Sequence, residues 1–218
     1  MSRCIFDPDF EDLPAVLPIF PLPGALLLPG GRLPLNIFEP RYIALVRDVL
    51  AGERLIGMIQ PNEECRDLGA AKVYDTGCAG RISAFSETDD GRYLITLSGL
   101  LRFEIAQELP PLSGYRRVVP DFARYRDDLE ADTRTIDREG FLETLDDYLK
   151  AAGIEGDWDA IKDAESERLV TSLAMICPFG PPEKQALLEA KTLPERVETM
   201  TAIMEMAMHE KQAAGPHH

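Results

Sequence analysis

The chain has 218 residues and a formal charge of −15, which argues against a nucleic-acid partner, since binding to phosphates requires a basic footprint. Its 45% apolar and 28% charged content is that of an ordinary soluble protein, long enough to bury one sizeable core or two modest ones. The charge is uneven: residues 1–125 hold 13 basic and 17 acidic side chains, and residues 126–218 hold 10 and 21. Two unlike parts are expected.

The chain begins with Asp7, Asp9, Glu11 and Asp12 where a secretory signal would carry positive charge. The apolar stretch that follows, LPIFPLPGALLLPGGRLPLNIFEPRY from Leu17 to Tyr42, is interrupted by Pro18, Pro21, Pro23, Pro29 and Pro34 and contains Arg32. It therefore fails as a membrane helix. A cytoplasmic location without a membrane partner is the expectation. The four cysteines, Cys4, Cys65, Cys78 and Cys177, lack the close pairing of zinc or redox motifs and read as free thiols.

From Ala15 to about Phe122 short extended runs alternate with turn chemistry. The runs are VLPIFP, RLPLNIF, RLIGMIQ, VYDTGCAGRISAFSE, RYLITLSG, LLRFEIAQ and YRRVVPDF. Thr88-Asp89-Asp90-Gly91 supplies a hairpin turn before RYLITLSG, and in LLRFEIA the residues Leu101, Phe103 and Ile105 alternate with Arg102 and Glu104, so an antiparallel meander is expected. One helix interrupts it. Pro40 suits a first helical position, Tyr42, Ile43, Leu45, Val46, Val49 and Leu50 recur at helical spacing, and Gly52 stops the run. Many short strands plus one helix favour a small closed or nearly closed β-barrel over an open α/β sheet.

Beyond Arg126 the period becomes helical. The charge run Asp127-Asp128-Leu129-Glu130-Ala131-Asp132 reads as a solvated connection. Four amphipathic helices are then predicted: one through Ile136, Phe141, Leu145, Tyr148 and Leu149 to Gly153; one through Leu169, Val170, Leu173, Ala174 and Ile176; one opened by Pro181-Pro182; and one opened by Pro194 through Val197, Met200, Ile203, Met204 and Ala207. A short turn at Trp158 to Ile161 makes a doubtful fifth. The expected class is α+β, with an antiparallel β-barrel over 10–125, a helical bundle over 126–212 and a disordered tail over 213–218.

Signals for catalysis are sparse. Histidine occurs only at His209, His217 and His218, which leaves metal-site and Ser-His or Cys-His motifs almost without candidates. His209 suits the negative end of the last helix. There is no phosphate loop and no dinucleotide fingerprint; Gly30-Gly31 reads as a turn between strands. The carboxylate pairs Glu63-Glu64, Asp89-Asp90 and Asp146-Asp147 read as solvated faces rather than an acid–base couple. No serine has a nucleophile-elbow context, and Lys72 is the lone lysine of the β-rich half. Met200, Met204, Met206 and Met208 read as core filler over an adaptable binding surface, and Trp158 as a pin for a helix start.

Several motifs in order carry a resemblance: Leu17-Pro18-Ile19-Phe20-Pro21-Leu22, Leu28-Pro29-Gly30, Leu33-Pro34-Leu35-Asn36-Ile37-Phe38-Glu39-Pro40-Arg41-Tyr42, Ile59-Gln60, Thr76-Gly77-Cys78-Ala79-Gly80-Arg81-Ile82, Asp90-Gly91-Arg92-Tyr93 and Leu97-Ser98-Gly99-Leu100-Leu101-Arg102-Phe103. Together they resemble the N-terminal substrate-binding domain of Lon proteases, especially its stand-alone relatives. The match is in motif over residues 15–122 and in helical character over 135–212. The resemblance implies a PUA-like β-barrel followed by a helical bundle, and recognition of exposed or unfolded protein segments.

The chain carries neither the ATPase module nor the Ser-Lys protease domain of a complete Lon protease, and the matching motifs contain no catalytic residues. The expectation is a non-catalytic peptide- or protein-binding module, with no cofactor and no metal, that serves as an adaptor beside a separate protease. A small peptidase is the alternative, and an RNA-binding PUA-like protein a further one, its basic cluster being Arg116, Arg117, Arg124 and Arg126. Ion pairing of those arginines with the neighbouring acidic run is the simpler reading. Leu26, Leu27 and Leu28, between two Pro-Gly turns, are the candidate peptide-binding residues, as an apolar patch that the barrel cannot bury.

Overall fold

The computed structural model describes residues 4–62, 72–130, 132 and 134–213. The chain divides into two compact units, Met1–Ala131 and Asp132–His218.

In the first unit six strands, β1 (Leu17–Pro21), β2 (Arg32–Ile37), β3 (Leu55–Ile59), β4 (Thr76–Glu87), β5 (Tyr93–Leu112) and β6 (Tyr115–Asp121), run in the order β2-β5-β4-β3-β1-β6. A further β5–β6 pairing closes five of them into a ring, leaving β2 as a flap on the first half of β5. Closure is possible because β5 is long enough to serve two neighbours: Tyr93 to Glu104 pairs with β4, and Glu104 to Leu112 pairs with β6. The runs RYLITLSG and LLRFEIAQ, expected as separate strands, are thus one 20-residue strand. Nor is the ring wholly antiparallel. β1 pairs with β3 in parallel, Ile19 against Gly57, since the connection through β2 and the intervening helix α1 (Pro40–Leu50) gives room for a crossover.

The ring is filled by Leu17, Ile19, Ala79, Leu101, Phe103 and Val118, all fully buried. Helix α1 buries Tyr42, Leu45, Val46 and Val49, and the Tyr42 ring lies 4.1 Å from that of Phe20.

The segment after β1 enters this core. Leu26, Leu27 and Leu28 are 2%, 1% and 0% exposed, so the expected peptide-binding patch does not exist. Its leucines are core. The reason is a set of glycine slots. A Cβ on Gly80 would stand 2.6 Å from Leu27 Cδ2, and one on Gly99 would stand 2.1 Å from the Leu28 carbonyl oxygen. The Gly30 amide donates to the Gly99 carbonyl and the Gly99 amide donates to the Gly31 carbonyl, both at 2.9 Å, so the loop is held against β5 as an added backbone layer.

The charge run at the end of this unit is also not a solvated connection. Residues Ala123–Leu129 form a 3-10 helix whose Asp128 accepts from Arg102 Nε at 2.8 Å, a terminal guanidinium nitrogen at 2.6 Å and the Arg102 amide at 2.9 Å. Arg102 itself is buried, with its guanidinium 4.6 Å from the Tyr125 ring centre, and Leu129 packs on the core. A buried arginine needs such a bidentate partner. The unit therefore ends at Ala131, not at residue 125.

The second unit holds α2 (Arg138–Ala152), α3 (Trp158–Asp163), α4 (Ser166–Ile176), α5 (Pro181–Glu189) and α6 (Leu193–Ala213). Asp137 and Asp157 cap α2 and α3 by accepting from the amides of Gly140 and Ala160, and Gly153 ends α2 with φ of 70°. The Asp132 carboxylate accepts from the Leu193 amide at the start of α6. Met200 and Met204 are fully buried as expected core filler, whereas Met206 is exposed. The expected disordered tail lies outside the described residues apart from Ala213, which closes α6.

Two expectations concern the glycine slots. Gly99→Ala forces a methyl into a backbone carbonyl and should lower unfolding free energy by about 3 kcal/mol or more, whereas Gly52→Ala, with 3.8 Å to its nearest neighbour, should leave it near its parent value in urea titrations. Leu27→Ala should cost about 2–5 kcal/mol in the same measurement, as a core truncation does; an unchanged midpoint would place the leucine on the surface.

Candidate functional site

With Leu26, Leu27 and Leu28 in the core, an exposed apolar site has to lie elsewhere. The helical unit contains one, a groove of about 650 Å³ between α3, α4 and the end of α2. Its floor is the buried side chains Leu149, Leu169 and Leu173, joined by Ile161. At its mouth stand Ile154 and Ile176, 40% and 75% exposed. Glu155, Asp157, Asp163 and Arg168 also line it, all exposed.

Local sequence explains why the groove stays open. Ile154 follows Gly153, whose left-handed turn ends α2, and Ile176 is the last residue of α4 before Cys177-Pro178. Each isoleucine sits where its helix stops, so no further turn is present to cover it. The short helix α3 buries none of its own residues and is held from behind. One terminal nitrogen of Arg138 donates to the carbonyls of Ile161, Lys162 and Ala164 at 2.8–3.0 Å, and the other donates to Ser166 Oγ at 2.9 Å. The guanidinium thereby satisfies the carbonyl end of α3, the short helix that walls the groove.

Cys177 also lines the groove but is 4% exposed, and burial pushes its thiol up to about 11. At neutral pH it is a protonated thiol and a poor nucleophile. Behind it, burial lowers the ammonium pKa of Lys184, which donates to the Met175 carbonyl at 3.3 Å. Among the described residues no group of three His, Cys, Asp or Glu side chains is placed to hold a metal ion, and no helix is long and apolar enough to cross a membrane.

A smaller groove of about 450 Å³ lies on the first unit, over β2, β4 and β5, and is lined by Leu35, Phe85 and Leu94 among others. Pro34 sits in β2, the flap strand, where a missing amide donor discourages pairing with another strand. Each arginine of the cluster has a partner. Arg116 pairs with Glu108, Arg124 with Glu104 and Arg126 with Glu11, while Arg117 donates to the Pro110 carbonyl. These partners come from other elements, not from the neighbouring acidic run expected to neutralise them.

Sequence periodicity overlooked the helical groove because it assigns Ile176 to a buried stripe and gives Ile154 no role. The available signal was position: an apolar side chain just at or past a helix stop has no helical face to bury it.

Comparison with known proteins gives the chain its family. The family model of the ATP-dependent protease La (LON) substrate-binding domain matches residues 16–206. The Lon protease of Anaeromyxobacter dehalogenans is 37% identical over 130 residues, 58% of this chain and 15% of that protein. The Lon protease of Flavobacterium johnsoniae is 29% identical over 190 residues, 85% of this chain and 23% of that protein. The chain thus spans less than a quarter of the length of either relative. Among solved structures, the Lon N-terminal domain protein from Xanthomonas campestris superposes with a TM-score of 0.62 at 23% identity, covering 86% of this chain and 97% of that one. The N-terminal domain of Mycobacterium avium complex Lon protease gives the same TM-score, 0.62, at 14% identity, covering 87% and 98%. Both likenesses are of fold. The α+β architecture, the ordered motifs and the family match over most of the chain lead to one conclusion: this chain belongs to the LON substrate-binding domain family.

Proposed function

We propose that this chain is a non-catalytic, cytoplasmic recognition module that holds exposed apolar segments of other proteins in the groove of its helical unit and acts as an adaptor beside a separate protease. The family match is to the part of Lon named for substrate binding, and a binding role is the coarse reading this supports. The observation that carries the finer reading is the 75% exposure of Ile176 at the mouth of a groove with a leucine floor. An aliphatic side chain left in water beside apolar walls is stabilised when another apolar group covers it, by about 1.5–3 kcal/mol on full burial. Cys177 in the groove and Lys184 behind it support recognition rather than bond cleavage, since the thiol is held protonated and the ammonium is engaged with a carbonyl.

The test is binding of fluorescein-labelled, carboxymethylated casein followed by anisotropy. Ile176→Asp should weaken binding about tenfold or more while leaving the circular dichroism melt unchanged, because the side chain is already exposed. Leu94→Asp, in the sheet groove, should bind as the parent does. The opposite pattern would move the recognition surface to the sheet.

A further inference from the structure

The groove has a charge pattern as well as an apolar floor. Glu155 lies just past the end of α2, Asp157 caps α3 and Asp163 ends it, so three carboxylates surround the same opening. Asp157 spends one oxygen on the Ala160 amide; Glu155 and Asp163 form no ion pair among the described residues. The cation among the lining residues is Arg168. Of the other nearby cations, Arg138, Lys184 and Lys211 donate to backbone carbonyls and Lys150 pairs with Asp146, while Lys162 is exposed on α3 beside Asp163 and leaves the carboxylates in excess. The field around the groove has the same sign, since residues 132–218 carry 9 basic and 18 acidic side chains. Like-signed ligands are repelled from such a cleft, and opposite-signed ones are concentrated at it.

Resting on the recognition role proposed above, we infer that the groove selects apolar segments flanked by lysine or arginine, and rejects equally apolar segments flanked by acidic residues. The apolar part of such a segment covers Ile176 and Ile154, and its basic flanks stand against Glu155 and Asp163. Carboxylates at the rim of an open groove are partly hydrated, so their contribution is to selection and encounter rate, and it diminishes as salt shortens the screening length.

The sole tryptophan, Trp158, opens α3 beside this groove and reports occupancy through its intrinsic fluorescence. Two twelve-residue peptides are compared, each with the same central Leu-Ile-Val-Leu core, one flanked by lysines and one by glutamates. At low ionic strength the lysine-flanked peptide should bind on the order of tenfold more tightly, with the difference shrinking as sodium chloride is raised. The double variant Glu155→Lys/Asp163→Lys should abolish or reverse the preference. The two carboxylates it replaces form no ion pair among the described residues, so its thermal melt should match the parent.

Equal affinity for both peptides, no detectable binding of either, or a preference that survives the double variant would overturn the inference. Labelled casein, run in parallel, separates that failure from failure of the recognition role. Casein binding that requires Ile176 without peptide charge selection retains the role and removes the charge rule. Absence of casein binding as well removes both.

Discussion

The carbonyl oxygen of Leu28 occupies space that a Cβ on residue 99 would need, at a separation of only 2.1 Å. That contact orders the first unit. It lets the segment after β1 lie on β5 at backbone distance, with amide–carbonyl bonds between Gly30, Gly31 and Gly99 on either side of it. Three leucines then enter the interior at once. The same device recurs further along β4 and on the neighbouring β3. Cβ atoms on Gly57 and Gly77 would stand 2.8 and 2.6 Å from Phe103, so the largest fully buried side chain occupies a slot made by two missing methyl groups. A small closed sheet has little interior, and glycine is how this one admits a phenylalanine and a leucine-rich loop without distorting its strands.

The end of that unit follows from a second constraint, the cost of an unpaired buried guanidinium. Arg102 is buried on the face of β5 opposite Leu101 and Phe103, where removing its partner would cost about 3–5 kcal/mol. Asp128 supplies both carboxylate oxygens to it, and this draws the 3-10 helix Ala123–Leu129 onto the ring. A run of charges that composition alone assigns to water therefore becomes a clasp. The helical unit uses arginine in the same economical way. Arg138 collects the end of α3 and Arg196 donates to the Leu187 carbonyl at the end of α5, so short helices are held by their carbonyl ends where apolar contact is scarce.

An open groove is the natural consequence of building with such short helices. α3 has six residues and buries none of them; it can wall a cleft but cannot fill it. The result is a leucine-floored surface walled by a short helix whose carbonyl end is held by the half-buried Arg138.

Much of this was legible in the chain itself. Alternation marked the strands, Pro40 and Gly52 bounded α1, Gly153 ended α2, and Pro181 and Leu193-Pro194 opened the last two helices. The ordered motifs over the first half carried the family. These are local signals, set by backbone geometry and by spacing within a single element. Closure into a ring was expected from the many short strands, but the pairing that makes it was not legible: the parallel β1–β3 pair and the union of two runs into β5 depend on partners far away in sequence. Nor was burial of the candidate site. Leu26, Leu27 and Leu28 look surplus to a barrel when counted along the chain, and only the glycines at positions 80 and 99, brought across from β4 and β5, create the space that takes them in. Ile176 has the reverse history, helical in spacing yet stranded at its helix end. Sequence by itself determined which residues are apolar and which elements they belong to. The tertiary structure decided which of them meet water, because burial depends on what the rest of the chain places opposite.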